Sequence, residues 1–199
     1  SYFQYAVKIA GDDRTEDDIA MLRKERDYKN VLLVEQPNLN FAHTIGRQFL
    51  FDVYHLAFLA ELQKSTDLTL SAIANKCIKE VSYHERFSSD WVKRLGDGTS
   101  ESKEKIQEAI NDLWTYTDEL FHQTKADKAM VLESVGVDVT KLKNDYYKRV
   151  KDLLEEATLQ IPDSKWFQKG GKEGIHSEHL GYLLTDLQYM QRTYPNMEW

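Results

Sequence analysis

The sequence predicts an all-α fold, a four-helix bundle with additional helices, and three observations carry that prediction. No proline occurs between Pro37 and Pro162, apolar residues recur at helical spacing through several long segments, and no apolar-polar alternation lasts long enough for a strand. Long amphipathic helices joined by short connections favour antiparallel neighbours. The 199 residues are 41% hydrophobic, enough to bury one core without staples, so a single helical domain over 1–199 is expected. No period of 30 to 45 residues marks a solenoid, and no linker or low-complexity tract divides the chain.

Taken in order, Tyr2, Tyr5, Ala6 and Ile9 sit at helical spacing before Gly11 ends the run. The chain is thus expected to open mid-helix, with the N-terminal part of a first bundle helix missing. Residues 17–26 look helical, and Val31 to Val34 is a short apolar run of either type. Asn40 is a good N-cap for a long helix carrying Phe41, Ile45, Phe49, Leu56 and Leu59, which fades at Lys64 to Thr66. A second runs from about Thr69 to Leu95 with Ile73, Cys77, Phe87 and Trp91 in line, and Gly96 stands where a C′ glycine belongs. A third, capped by Thr99 or Ser100, carries Ile106, Ile110, Leu113, Thr117 and Leu120 to about His122. A shorter segment spans 125–134 before Gly136, and another long helix behind Asp138 holds Leu142, Tyr146, Val150, Leu153 and Leu154. Proline, glycine, serine and lysine make 160–176 a loop. The last helix, 177–193, presents Leu180, Leu183, Leu184, Leu187 and Met190.

Composition removes several functions. A net charge of −7 with no concentrated basic tract argues against nucleic acid, whose phosphates require clustered Lys and Arg. No apolar stretch approaches 18 residues, so no membrane span is expected, and the start lacks the charged and apolar regions of an export signal. The lone Cys77 forms neither an internal disulfide nor a thiolate cage, and a cytoplasmic location is the expectation. Cys77 lies on an apolar face and reads as filler.

Polar residues on the helix faces carry the functional question. A helix bundle binds paired metals when two helices each give a Glu and two others each give a Glu-x-x-His, all pointing inward. Asp52 and His55 share the face of Ile45, Phe49, Leu56 and Leu59, so both are expected to point into the bundle. Glu80 and His84 are in register with Ile73, Cys77 and Phe87, which directs a second carboxylate and imidazole inward at a spacing of four. Glu119 and His122 have the matching spacing, but stepping back through Thr115, Asp112 and Glu108 puts them on the solvent side, a coincidence of pattern; Asp118 sits on the boundary. Residues 1–10 contain no Asp or Glu. Asp52, His55, Glu80 and His84 therefore read as part of a di-iron oxygen-activating site, as a buried network in which acids orient imidazoles, or as a site for one adventitious metal.

Other groups read more plainly. His176 and His179 flank the entry to the last helix, where Ser177 or Glu178 serves as cap or first-turn acid. Gly170, Gly171 and Lys172 lack the remainder of a phosphate loop and follow no strand, which argues against nucleotide binding there. Ser82, Ser88 and Ser177 have no nucleophile-elbow setting. Trp91, Trp114, Trp166, Trp199 and the eleven tyrosines are core residues or interface anchors.

Three clusters in order along the chain carry a resemblance. They are Val34-Glu35-Gln36-Pro37-Asn38 with Asn40-Phe41-Ala42, then Lys79-Glu80 with Tyr83-His84 and Phe87-Ser88, then Gly170-Gly171-Lys172 with Gly174 and Glu178-His179-Leu180-Gly181. Over nearly its whole length the chain resembles the C subunits of bacterial ring-1,2-phenylacetyl-CoA epoxidases. The resemblance implies a ferritin-like fold and membership of a multicomponent oxygenase that epoxidises the substrate's aromatic ring with dioxygen and electrons from a separate reductase. It implies a heteromer with a homologous catalytic di-iron subunit that holds the CoA thioester, while the C subunit itself is structural, without metal or other cofactor and without catalytic residues. Asp52, His55, Glu80 and His84 would then be vestigial, ligand-like core groups, and the Glu119/His122 pattern is a departure from the family. An autonomous di-iron oxidase or oxygenase is the alternative. As a structural subunit the chain, when alone, is expected to expose an apolar patch or to self-associate.

Overall fold

A computed structural model describes residues 2–195 and 197. Among these residues there is no strand; eight α-helices are joined by short 3-10 turns. They are α1 (Tyr2–Ala10), α2 (Glu16–Ala20), α3 (Phe41–Leu62), α4 (Leu68–Gly96), α5 (Ser100–Trp114), α6 (Lys125–Leu132), α7 (Lys143–Glu156) and α8 (Glu178–Thr193). Trp199 lies outside the described residues.

The caps explain where the long helices begin. Asn40 accepts the His43 amide at 3.0 Å, Asp67 accepts those of Thr69 and Leu70, and Thr99 accepts that of Ser102, each satisfying donors that a helix start leaves unpaired. Helices α3 and α4 form an antiparallel pair. Gln63 bonds Asn75 near the turn and Asp52 bonds Ser88 further along, so rising numbers on one helix meet falling numbers on the other. Helices α5 and α7 pack on this pair, and Phe49, Leu50, Ile106, Ile110, Leu153 and Leu154 are wholly buried between the four. The Tyr146 hydroxyl, deep in this core, donates to the Leu50 carbonyl at 3.1 Å. A smaller cluster of Leu59, Leu62, Ala74, Val81, Val137 and Val139 closes the α3–α4 turn. The arrangement is all-α and ferritin-like.

Four expectations are corrected. First, the third helix stops at Trp114, not near His122. The Tyr116 and Thr117 amides bond three residues back, to Leu113 and Trp114, and the chain tightens into a 3-10 turn at Asp118–Phe121. That changes the angular phase of everything after Thr117. Second, the buried face of α4 is Ile73, Ala74, Val81, Ser88, Ser89 and Val92; of the residues expected in line, Ile73 is buried, Cys77, His84 and Trp91 are half-buried, and Glu80 and Phe87 are exposed. Ala74, Ser88 and Ser89 are the small side chains on the inner face where α3 packs, while Tyr83 and Phe87 lie outward. Third, Gly96 ends no helix in a left-handed conformation. It is the last residue of α4, where a Cβ would stand 2.2 Å from the Ala157 carbonyl oxygen, so it is the contact point between α4 and the end of α7. Fourth, the inner face of α8 is Leu180, Leu184 and Gln188, leaving Leu183, Leu187 and Met190 exposed. Cys77 is half-buried, and residues 17–26 contain only the short α2 and a turn at Glu25–Asp27.

Helix α8 packs on the turns at Glu25–Asp27 and Leu32–Glu35. Its Gln188 amide donates to the Arg23 carbonyl at 2.8 Å and Arg192 donates to Gln188. The loop at 160–176 leads into it through a turn at Gly171–Glu173, as the glycines suggest.

Candidate functional site

Asp52 is the acid the bundle interior is built around. It lies on α3 with Gln48 one turn earlier, and it is 1% exposed. Gln48 donates to Oδ1 at 2.6 Å and the Ser88 hydroxyl on α4 donates to Oδ2 at 3.0 Å. Burial raises the Asp52 pKa, the hydrogen bonds from Ser88 and Gln48 and the nearby His84 act against that shift, and Glu85 adds to it. His55 is half-buried; burial lowers its pKa, and His84 lowers it further. Asp52, His55 and His84 therefore share one electrostatic neighbourhood on the α3–α4 face, while Glu80, expected to join them, is exposed. The serine that completes the Asp52 network, Ser88, has no nucleophile motif and is not among the residues that the sequence directs to the core. Its small size on the inner stripe of α4 is the signal that finds it.

Paired irons would require several ionised carboxylates free to ligate. Here the one buried acid of the group accepts hydrogen bonds on both oxygens, burial favours its neutral form, and the second acid points to solvent. Among the described residues no three His, Cys, Asp or Glu side chains converge as a metal would need. The donor set does not match a di-iron centre, and the chemistry these residues support is a hydrogen-bonded tie between α3 and α4.

The raised Asp52 pKa has a sign that can be tested. A carboxyl that holds its proton more tightly in the folded chain contributes stability below the ordinary carboxyl range, and that contribution is lost as pH rises through the folded-state value. Asp52→Asn is expected to remove this part of the pH dependence, read as urea midpoints from about pH 4 to pH 7. Parallel curves for parent and variant would show that Asp52 contributes no such slope.

The most heavily bonded acids are Glu119 and Glu35, outside the α3–α4 pair. Glu119, expected on the solvent side, is 2% exposed, because the 3-10 turn swings it inward. It accepts the Leu32 and Gly170 amides, each at 2.7 Å, and that of Lys172 at 3.4 Å. His122 does remain exposed, 3.3 Å from Glu173, so the Glu-x-x-His spacing does not bring the two together at a metal site. Asp118 is partly exposed and pairs with Lys143. Glu35 is also buried. It meets His176 Nδ1 at 2.6 Å and accepts from Asn30 and from both the amide and hydroxyl of Ser177. Ser177 does stand at the N-cap position of α8, but its hydroxyl serves Glu35 instead of the helix. Together Glu35 and Glu119 clasp residues 28–35 to the 170–177 loop.

No helix among the described residues is long and apolar enough to cross a membrane. The fold and interior define a class: a ferritin-like bundle in which a hydrogen-bonded acid occupies the core between two long helices. Residues 1–199 match the family described as phenylacetic acid catabolic protein, and the chain belongs to that family. It is 45% identical over 199 residues to the C subunit of the 1,2-phenylacetyl-CoA epoxidase of Escherichia coli (strain K12), an alignment covering 100% of this chain and 80% of that protein.

Proposed function

We propose that this chain is the C subunit of a phenylacetyl-CoA epoxidase, a single ferritin-like domain that acts in phenylacetate catabolism in the cytoplasm as a structural component. The likeness to an epoxidase C subunit along the whole chain carries the reading. The partner is a homologous subunit that holds the di-iron centre and performs the epoxidation. This chain supplies helical surface that keeps that subunit in a competent shape, and its core acid ties helices together. The network of Gln48, Asp52 and Ser88 supports this role, since it satisfies a buried carboxyl with protein donors. Asp52, His55, Glu80 and His84 are vestigial in this reading and carry no catalytic step.

Metal analysis and turnover of the co-expressed complex test it. Iron is expected in proportion to the partner subunit alone, and His84→Gln is expected to leave both iron content and epoxidation within about twofold of the parent. Two irons bound by this chain when purified by itself, or a loss of turnover beyond about tenfold in the variant, would favour an autonomous di-iron oxygenase instead.

A further inference from the structure

Asp97 and Gly98 lie in the turn between α4 and α5, and both are exposed. The sequence holds no other Asp-Gly pair and no Asn-Gly pair. The Asp97 amide closes α4 by donating to the Lys93 carbonyl at 2.9 Å, and Thr99 caps α5 by accepting the Ser102 amide at 3.2 Å. Between those two anchors the linking peptide is bare. Among the described residues no hydrogen bond is made by the Asp97 carbonyl or the Gly98 amide, and the Asp97 carboxylate has neither a hydrogen bond nor an ion pair. A Cβ at residue 98 would stand 2.8 Å from the Arg94 carbonyl oxygen, so the packing of the turn keeps a glycine there.

An unengaged carboxyl directly before a glycine amide can close to an imide within the chain, because reactants on adjacent residues need no encounter. The Asp97 ψ of 6° holds the Gly98 nitrogen away from Cγ, so the linking peptide must turn toward Cβ before attack. No hydrogen bond resists that turn, and glycine accepts the compensating change in its own φ where a residue with a Cβ would not. We propose that Asp97 is a site of spontaneous covalent modification, closing to a succinimide with Gly98 and reopening to isoaspartate. The Gly98 nitrogen bonds to Cγ of the protonated carboxyl, and the carboxyl hydroxyl leaves as water with the amide proton. Water then breaks the bond between that nitrogen and either carbonyl carbon. Breaking the new bond restores aspartate, and breaking the original main-chain bond leaves isoaspartate, whose backbone runs through Cβ and Cγ. The added methylene falls between the Gly96–Ala157 contact and the Thr99 cap, so the product lengthens the connection between α4 and α5. The site is separate from the Asp52 network and independent of the chain's role in the epoxidase.

Ageing of the whole chain for weeks at neutral pH tests the assignment, with isoaspartate read by isoaspartyl O-methyltransferase labelling and placed by peptide mass spectrometry. Asp163, exposed in the 160–176 loop and followed by Ser164, is the comparison, since its neighbour carries a Cβ. Isoaspartate at residue 97 is expected to exceed that at residue 163 at least about tenfold. Asp97→Glu, whose longer side chain would have to close a larger ring, is expected to lower total labelling at least about fivefold. The folded chain is expected to react at residue 97 within about tenfold of the rate in guanidinium, because the peptide that turns holds no bond. The proposal is overturned by isoaspartate no more abundant at 97 than at 163, by an Asp97→Glu chain that labels like the parent, or by reaction at 97 in the denatured chain only.

Discussion

Glu35→Ala is expected to destabilise the chain by about 3–5 kcal/mol, the range for removing one partner of a buried ion pair. The carboxylate is 1% exposed and takes four hydrogen bonds, so its loss strands the Asn30 amide, the Ser177 amide and hydroxyl, and His176. The histidine suffers most. Its Nδ1 faces Glu35 at 2.6 Å and its Nε2 faces the Tyr28 carbonyl at 3.0 Å, so the ring bridges the acid to the backbone of residue 28. Without the acid, a ring whose side chain is 1% exposed has no compensating partner. At roughly 2–4 °C per kcal/mol for a chain of this size, the thermal midpoint is expected to fall by roughly 10 °C. Urea unfolding of Glu35→Ala, His176→Ala and the double variant checks the origin of the loss. The double variant is expected to lose much less stability than the sum of the single losses, because removing both partners leaves neither stranded. Additive losses, or a Glu35→Ala loss below about 1 kcal/mol, would show that the two side chains do not act as a pair.

The helices that the sequence places correctly are those whose signals are local. Asn40 before Phe41, Thr99 before Ser100 and the apolar spacing of α7 each lie within a turn or two of the feature they specify. The errors arise where a distant partner decides. Nothing at Trp114 to Thr117 breaks a helix by composition, and Thr117 and Leu120 continue the helical spacing, so α5 reads through. Its actual end positions Glu119 against amides 87 and 51 residues away, contacts that no local period encodes. On α4 the largest apolar residues misdirect the reading in the same way. Tyr83 and Phe87 stack on the outer face and lead to Trp91 at the edge of the core, while the inner face is set by what fits against α3. Asp52 was legible because its own helix, α3, carries large apolar residues on the same inner face. Ser88 and the exposure of Glu80 were not, because α4 reverses that rule.

Gly171→Ala is expected to open the second half of the clasp at a cost of about 3 kcal/mol or more. The glycine's torsion is not the reason, since its φ is not positive. A Cβ there would stand 2.3 Å from the Asn30 carbonyl oxygen and 3.1 Å from the Leu32 amide nitrogen, both backbone atoms that cannot swing aside as a side chain does. The 170–172 turn must therefore retreat from residues 30–32. Overpacking of this kind costs about 1–3 kcal/mol, and each amide drawn away from the Glu119 carboxylate adds about 1–3 kcal/mol. Hydrogen exchange is expected to accelerate at the Leu32 and Gly170 amides more than at amides of α5 or α7, because the strain enters at the clasp and the four-helix core does not depend on it. If the loss comes through the Glu119 bonds, Glu119→Ala added to Gly171→Ala costs less than it does alone. Full additivity, with exchange at Leu32 and Gly170 unchanged, would mean that the loop accommodates a methyl group without leaving the carboxylate. The short approach of Gly171 to Asn30 would then not constrain the clasp.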